Sequence, residues 1–146
     1  MKFFMLYTNA DILFQVGAGI QIPSNSSRIL LKWGLGPFLG DKVVKPMDIS
    51  FRRWEDGKVI GHTKLVPDFQ DNFGAPYYVV HRAHFHDALH QLALKLGVEV
   101  KVASKVNLYD SENGTVKTQD GKTYSGDLVI AADGQFKQWL GWENLS

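Results

Sequence analysis

Two glycines one residue apart, an Asp-Gly step and a cluster of histidines are the parts of this 146-residue chain whose types and spacing suit chemistry. Gly17-Ala18-Gly19 follows the apolar run Ile12 to Val16, which reads as a short strand. A strand feeding Gly-x-Gly can open a phosphate-binding turn in which backbone N–H groups and a helix N-terminus hold a pyrophosphate. Here the third glycine would fall on Ile22, and Pro23 stands where the phosphate helix needs its first turns, so that reading fails. Asp133-Gly134 closes the compact apolar run Leu128 to Ala132, which reads as a fully buried strand of the parallel type. The carboxyl end of such a strand is where ligands bind in α/β sheets, although an aspartate there can equally cap a helix. His81, His84, His86 and His90 crowd one helix start, and His86 with His90 has the i, i+4 spacing of a metal pair. No glutamate stands between them as in a zinc protease, and a helix start beside a ligand accounts for the cluster as well, so no metal site is assigned.

The elements that must position these residues follow from periodicity and turn chemistry. Ser24 or Asn25 is suited to cap a helix carrying Ile29, Leu30, Trp33 and Leu35, which Gly34, Gly36 and Pro37 end. Asp48 to Trp54 and Lys58 to Leu65 are strand-like and flank the turn Glu55-Asp56-Gly57. A loop runs from Pro67 to Pro76, and its aromatic neighbours Phe69, Phe73, Tyr77 and Tyr78 either line a pocket or anchor the loop. Phe85, Leu89, Leu92 and Leu96 form one stripe of a helix from about Arg82 to Leu96, stopped by Gly97. Val98 to Val102 reads as a strand. Val106 to Tyr109, Thr115 to Lys117 and Lys122 to Tyr124 then form a small antiparallel meander around Asn113-Gly114 and Asp120-Gly121. Trp33, Trp54, Trp139 and Trp142 are expected in core or edge packing.

Composition excludes several classes. The chain is 45% hydrophobic and 21% charged, as an ordinary globular domain is, and its net charge of +1 comes with no basic stripe for nucleic acid. There is no cysteine, hence no disulfide and no thiolate metal site. The apolar opening Met1 to Tyr7 is interrupted by Thr8, Asn9 and Asp11 before it reaches signal-peptide length. The chain reads as soluble and cytoplasmic, with no membrane span.

The motifs Gly17-Ala18-Gly19-Ile20-Gln21-Ile22-Pro23 with Asn25, His81-Arg82-Ala83-His84-Phe85-His86-Asp87-Ala88-Leu89, and Ala131-Ala132-Asp133-Gly134 carry a resemblance in their order and spacing. From about Val16 to Gly134 the chain resembles FAD-dependent aromatic-ring monooxygenases of the salicylate hydroxylase type, relatives of the para-hydroxybenzoate hydroxylases, and their fungal members in particular. The resemblance implies an α/β fold: a partial FAD-binding, Rossmann-like domain with a hairpin and a meander, lacking the first glycine-rich βαβ unit. It implies three segments, a divergent 1–15, a partial FAD-binding domain over 16–134 and a divergent tail over 135–146, and hence a chain truncated at both ends.

The resemblance also implies roles. Gly17, Ala18 and Gly19 would let the backbone pass close to FAD, where side chains would collide. Arg82 would reach the cofactor's phosphate or ribityl region, and Asp133 with Gly134 would lie beside its pyrophosphate. NAD(P)H would reduce the flavin, whose C4a-hydroperoxide would hydroxylate a small aromatic or phenolic substrate. No residue is assigned as a substrate base. The alternative is a noncatalytic truncated remnant, or a partner-binding α/β module, without flavin, with self-association through an exposed apolar face.

Overall fold

The computed structural model describes residues 4–8, 17–110 and 112–132. In chain order the elements are β1 (Phe4–Tyr7), β2 (Gly19–Ile22), α1 (Ser24–Lys32), α2 (Gly36–Leu39), a 3-10 turn (Gly40–Lys42), β3 (Val43–Val44), β4 (Asp48–Arg52) and β5 (Val59–Lys64). There follow α3 (Asp68–Phe73), β6 (Tyr78–His81), α4 (Arg82–Lys95), β7 (Val98–Lys101), β8 (Val106–Asp110), β9 (Thr115–Thr118) and β10 (Thr123–Ser125). The chain divides into two compact units, Phe14–Gly97 and a second made of Met1–Leu13 with Val98–Ser146.

The Phe14–Gly97 unit is built on a three-stranded antiparallel sheet in the order β2-β6-β3. Residues alternate across a strand, so Ile20, Ile22, Tyr78, Val80 and Val43 share one face. Leu30 and Leu31 of α1 and Phe85 of α4 cover that face, and Leu35, Leu39, Ala88 and Leu92 extend the same apolar core between α2 and α4. The helical stripe is therefore real in Phe85, Leu89 and Leu92, whereas Leu96 caps the helix and is exposed. Gly97 follows at φ +82, the left-handed step that lets a helix stop without a Cβ penalty.

Helix α1 begins partly as expected. Pro23, not Ser24, occupies the boundary, and its carbonyl accepts from the N–H groups of Ser26 and Ser27, while Asn25 Oδ1 accepts from the Ser26 N–H at 2.9 Å. The serine hydroxyls are used elsewhere. Ser24 Oγ donates to the Ala75 carbonyl at 2.7 Å and Ser27 Oγ to the Pro76 carbonyl at 2.6 Å. A buried carbonyl without a donor costs more than a missing cap, which is why these hydroxyls turn toward the 75–76 segment.

The segment read as a loop from Pro67 to Pro76 contains α3, which begins just after a cis Val66–Pro67 bond. The rings of Phe69 and Phe73 meet edge to face at 5.0 Å, and those of Phe69 and Tyr77 at 5.7 Å. These three aromatics anchor the segment, while Tyr78 belongs to the sheet core. The β4–β5 hairpin closes through Gly57 at φ +70, as its turn sequence suggests. Trp33 and Trp54 are exposed rather than packed: Trp33 follows the last turn of α1, and Trp54 lies in the hairpin turn with 93% of its surface open. Trp139 and Trp142 lie outside the described residues.

The other unit pairs β1 with β7 in parallel, so Phe4–Tyr7 of the opening apolar run is a strand. Its meander runs β10-β9-β8 around the expected Asn113-Gly114 and Asp120-Gly121 turns. Tyr7 and Tyr124 join the two sheets of this unit, their ring centroids 4.8 Å apart. The expected strand at Leu128 to Ala132 is absent. Leu128 and Ile130 are 77% and 76% exposed, because a strand buried on both faces needs neighbours for its ladder and covers for its sides, and no described residue supplies them. Among the described residues no helix is long and apolar enough to cross a membrane.

Two outcomes are expected. Ser27→Ala leaves the Pro76 carbonyl without its donor and lowers unfolding stability by about 1–3 kcal/mol, read by urea titration of the tyrosine and tryptophan fluorescence. Asp120 is held down to about 2, from an ordinary 3.8, by hydrogen bonds from Lys122 and from the Thr118 hydroxyl. A depressed carboxyl stabilises the fold above its unfolded pKa, and that support is lost as pH falls from the ordinary value toward the folded one. Asp120→Asn therefore flattens the acid side of the stability profile in that window.

Candidate functional site

The register of β2 against β6 sets Gly19 opposite His81, which brings the Gly17-Ala18 turn against the first residue of α4. The Arg82 N–H donates to the Ala18 carbonyl at 3.1 Å and so ties the turn to the helix start. A Cβ on Gly17 would sit 2.7 Å from Arg82 Cβ and 3.4 Å from its Cγ, closer than packed carbons allow. Glycine at position 17 is thus required by the stem of Arg82. Gly19 is under no such constraint, since an added Cβ there would meet only Val79 Cγ1, at an ordinary 3.8 Å.

The exposed surface beside this contact is made of small residues and one long cation. Ala18, Gly19 and Arg82 are all exposed, and among the described residues the Arg82 guanidinium has no carboxylate partner. The first turn of α4 carries no acidic side chain. His81 stands at the N-cap, its Nδ1 accepting from the Ala83 N–H at 3.3 Å, and its ring lies 5.5 Å from that of His84. A guanidinium carried by the first residue of a helix favours anionic and hydroxyl-bearing ligands, and the bare backbone of 17–19 admits a flat group at close range. Among the described residues no group of three or more His, Cys, Asp or Glu is placed to hold a metal ion.

Of the predicted site residues, Gly17, Ala18, Gly19 and Arg82 come together at this one corner. Asp133 and Gly134 lie outside the described residues. Sequence reasoning missed Gln21, which shares the non-core face of β2 with Gly19 and whose Oε1 accepts a hydrogen bond from the Tyr77 hydroxyl. Strand alternation after the glycines places Gln21 on that face; nothing in the sequence announces a partner 56 positions away.

No family model matches the chain. It is 35% identical over 130 residues to 3-amino-4-hydroxybenzoate 2-monooxygenase PtmB3 of Streptomyces platensis, an alignment that covers 88% of this chain and 33% of that protein. It is 37% identical over 150 residues to the FAD-dependent monooxygenase phomE' of Diaporthe leptostromiformis, covering 92% of this chain and 36% of the other. Among solved structures, the tetrameric form of 2-methyl-3-hydroxypyridine-5-carboxylic acid oxygenase matches with a TM-score of 0.74 and 27% identity, over 89% of this chain and 32% of that one. The chain therefore spans about one third of the length of the proteins it matches.

The steric argument yields a paired test. Gly17→Ala forces the Arg82 stem aside and costs about 1–3 kcal/mol, as overpacking does, whereas Gly19→Ala stays within about 1 kcal/mol of the unaltered chain. Thermal or urea unfolding of the two variants, side by side, reads the difference.

Proposed function

We propose that this chain, a homologue of part of the FAD-dependent aromatic monooxygenases, binds FAD through its 16–134 portion and contributes to NAD(P)H-dependent hydroxylation of a small aromatic or phenolic molecule. The observation that carries the reading is the corner at which the glycine-rich turn and Arg82 meet, in a chain whose relatives include an FAD-dependent monooxygenase. The residues present fit the group. Gly17, Ala18 and Gly19 offer backbone without bulky side chains, and the stem of Arg82 packs beside Gly17, its guanidinium without a carboxylate partner among the described residues. Bound FAD would supply the transfer of reducing equivalents and the activation of oxygen. The chain's own residues would act on binding and charge: Arg82 would neutralise a phosphate or hold a ribityl hydroxyl, and the Ala18 carbonyl, accepting from the Arg82 N–H, fixes the backbone from which Arg82 projects.

A second reading has its own observation. In the unit holding β1 and β7, Phe4, Leu6, Leu128 and Ile130 all expose about half of their surface or more, as expected of a noncatalytic module that meets a partner or a second copy.

Titration of the purified chain with FAD, followed by flavin fluorescence and absorbance, separates the two. Saturable binding that Arg82→Ala weakens by about ten- to a hundredfold supports the flavin reading, that being the worth of a charge-assisted contact. A folded, monodisperse sample that binds no FAD sinks it and leaves the noncatalytic one.

A further inference from the structure

We propose that Gln21 is a ligand-binding residue, and that Tyr77 positions it. The proposal rests on the flavin reading above and names a further contact at the same corner. Gly19 and Gln21 lie two residues apart on β2, and strand alternation puts both on the face turned away from the apolar core, with Val79 and His81 of β6 opposite them. Gln21 is exposed, yet its side chain is not left to solvent: the hydroxyl of Tyr77, a residue only 8% exposed, donates to its Oε1. Tyr77 is itself held by the edge-to-face contact with Phe69.

That single bond orients the carboxamide. With Oε1 committed to Tyr77, the Nε2 group is turned away from the hydroxyl, and among the described residues its two donors meet no partner. Ordering a long exposed side chain costs rotamer entropy, and a fixed donor pair on the same strand face as a bare glycine is what a neutral acceptor lying over that glycine requires. The division of labour follows from charge. Arg82 suits the anionic part of a ligand, and the uncharged Gln21 amide suits a carbonyl or hydroxyl oxygen of the flavin portion.

The test uses the full chain, FAD as probe, and three variants. Gln21→Glu keeps an acceptor for the Tyr77 hydroxyl while replacing the donor pair with a negative charge; Tyr77→Phe keeps the amide but releases it; the third combines them. The expected result is FAD binding about tenfold weaker for Gln21→Glu and about threefold weaker for Tyr77→Phe, with the combination no weaker than Gln21→Glu alone because Tyr77 acts only through Gln21. The visible absorbance of bound flavin shifts toward that of free flavin in Gln21→Glu, a change that a merely structural role does not produce. Thermal midpoints of the unliganded Gln21→Glu and unaltered chains coincide. Unaltered affinity in Gln21→Glu, or an effect of Tyr77→Phe that adds in full to it, overturns the assignment while leaving the flavin reading intact. Failure of the unaltered chain to bind FAD overturns both.

Discussion

The pairing of β2 with β6 is the constraint on which the Phe14–Gly97 unit depends. With Gly19 opposite His81 and Ile22 opposite Tyr78, every second residue of both strands enters the core beneath α1 and α4. A slip of β2 by one residue would carry Ile20 and Ile22 to the outer face and bring Gln21 inside, an exchange of apolar burial for an unsatisfied amide. The same register is what brings the glycine turn to the head of α4. Core and candidate site are therefore not separable features; they are the two faces of one short sheet.

The helices secure that sheet by complementary means. Helix α4 packs Ala88 and Leu92 against Leu35 and Leu39, and small Ala88 permits the close approach that α2 needs. Helix α1 contributes apolar cover through Leu30 and Leu31, and also two buried hydroxyls that hold the 75–76 carbonyls immediately before β6. The chain entering β6 is thus fixed on its polar side by serines and on its apolar side by the Phe69–Tyr77 contact. Rigid entry matters because β6 runs without a break into α4, so any play in it would be transmitted to Arg82.

Much of this was legible in the sequence where local chemistry decides the outcome. The hairpin at Gly57, the meander turns at Gly114 and Gly121 and the stop at Gly97 all carry the positive φ that their glycines suggest. The turn of Gly17 to Gly19 and the helix-opening Arg82 were picked out by their order along the chain, and they do lie together. Legibility failed where a residue's partner is remote. Ser24 has the type and place of an N-cap, yet its hydroxyl serves a carbonyl 51 residues away. Tyr77 was read as one aromatic of four, without the amide it holds. Leu128 to Ala132 has the composition of a buried strand, but composition does not supply the neighbours that a ladder needs. Trp33 and Trp54 show the same limit, since aromatic bulk alone does not place a ring in a core.

The contact between Gly17 and the Arg82 stem also bears on how such a chain can change over generations. The two positions share one small volume, so residue 17 can gain a side chain only if residue 82 loses its Cβ-proximal bulk or the strand end withdraws. Because β2 is held to β6 by its ladder and to α4 by the Ala18 carbonyl, withdrawal is resisted, and the first route would exchange the cation for glycine. A substitution at either position thus alters what the other can tolerate. In steric terms the pair is one unit, in which the residue without a side chain dictates whether the charged one can stay.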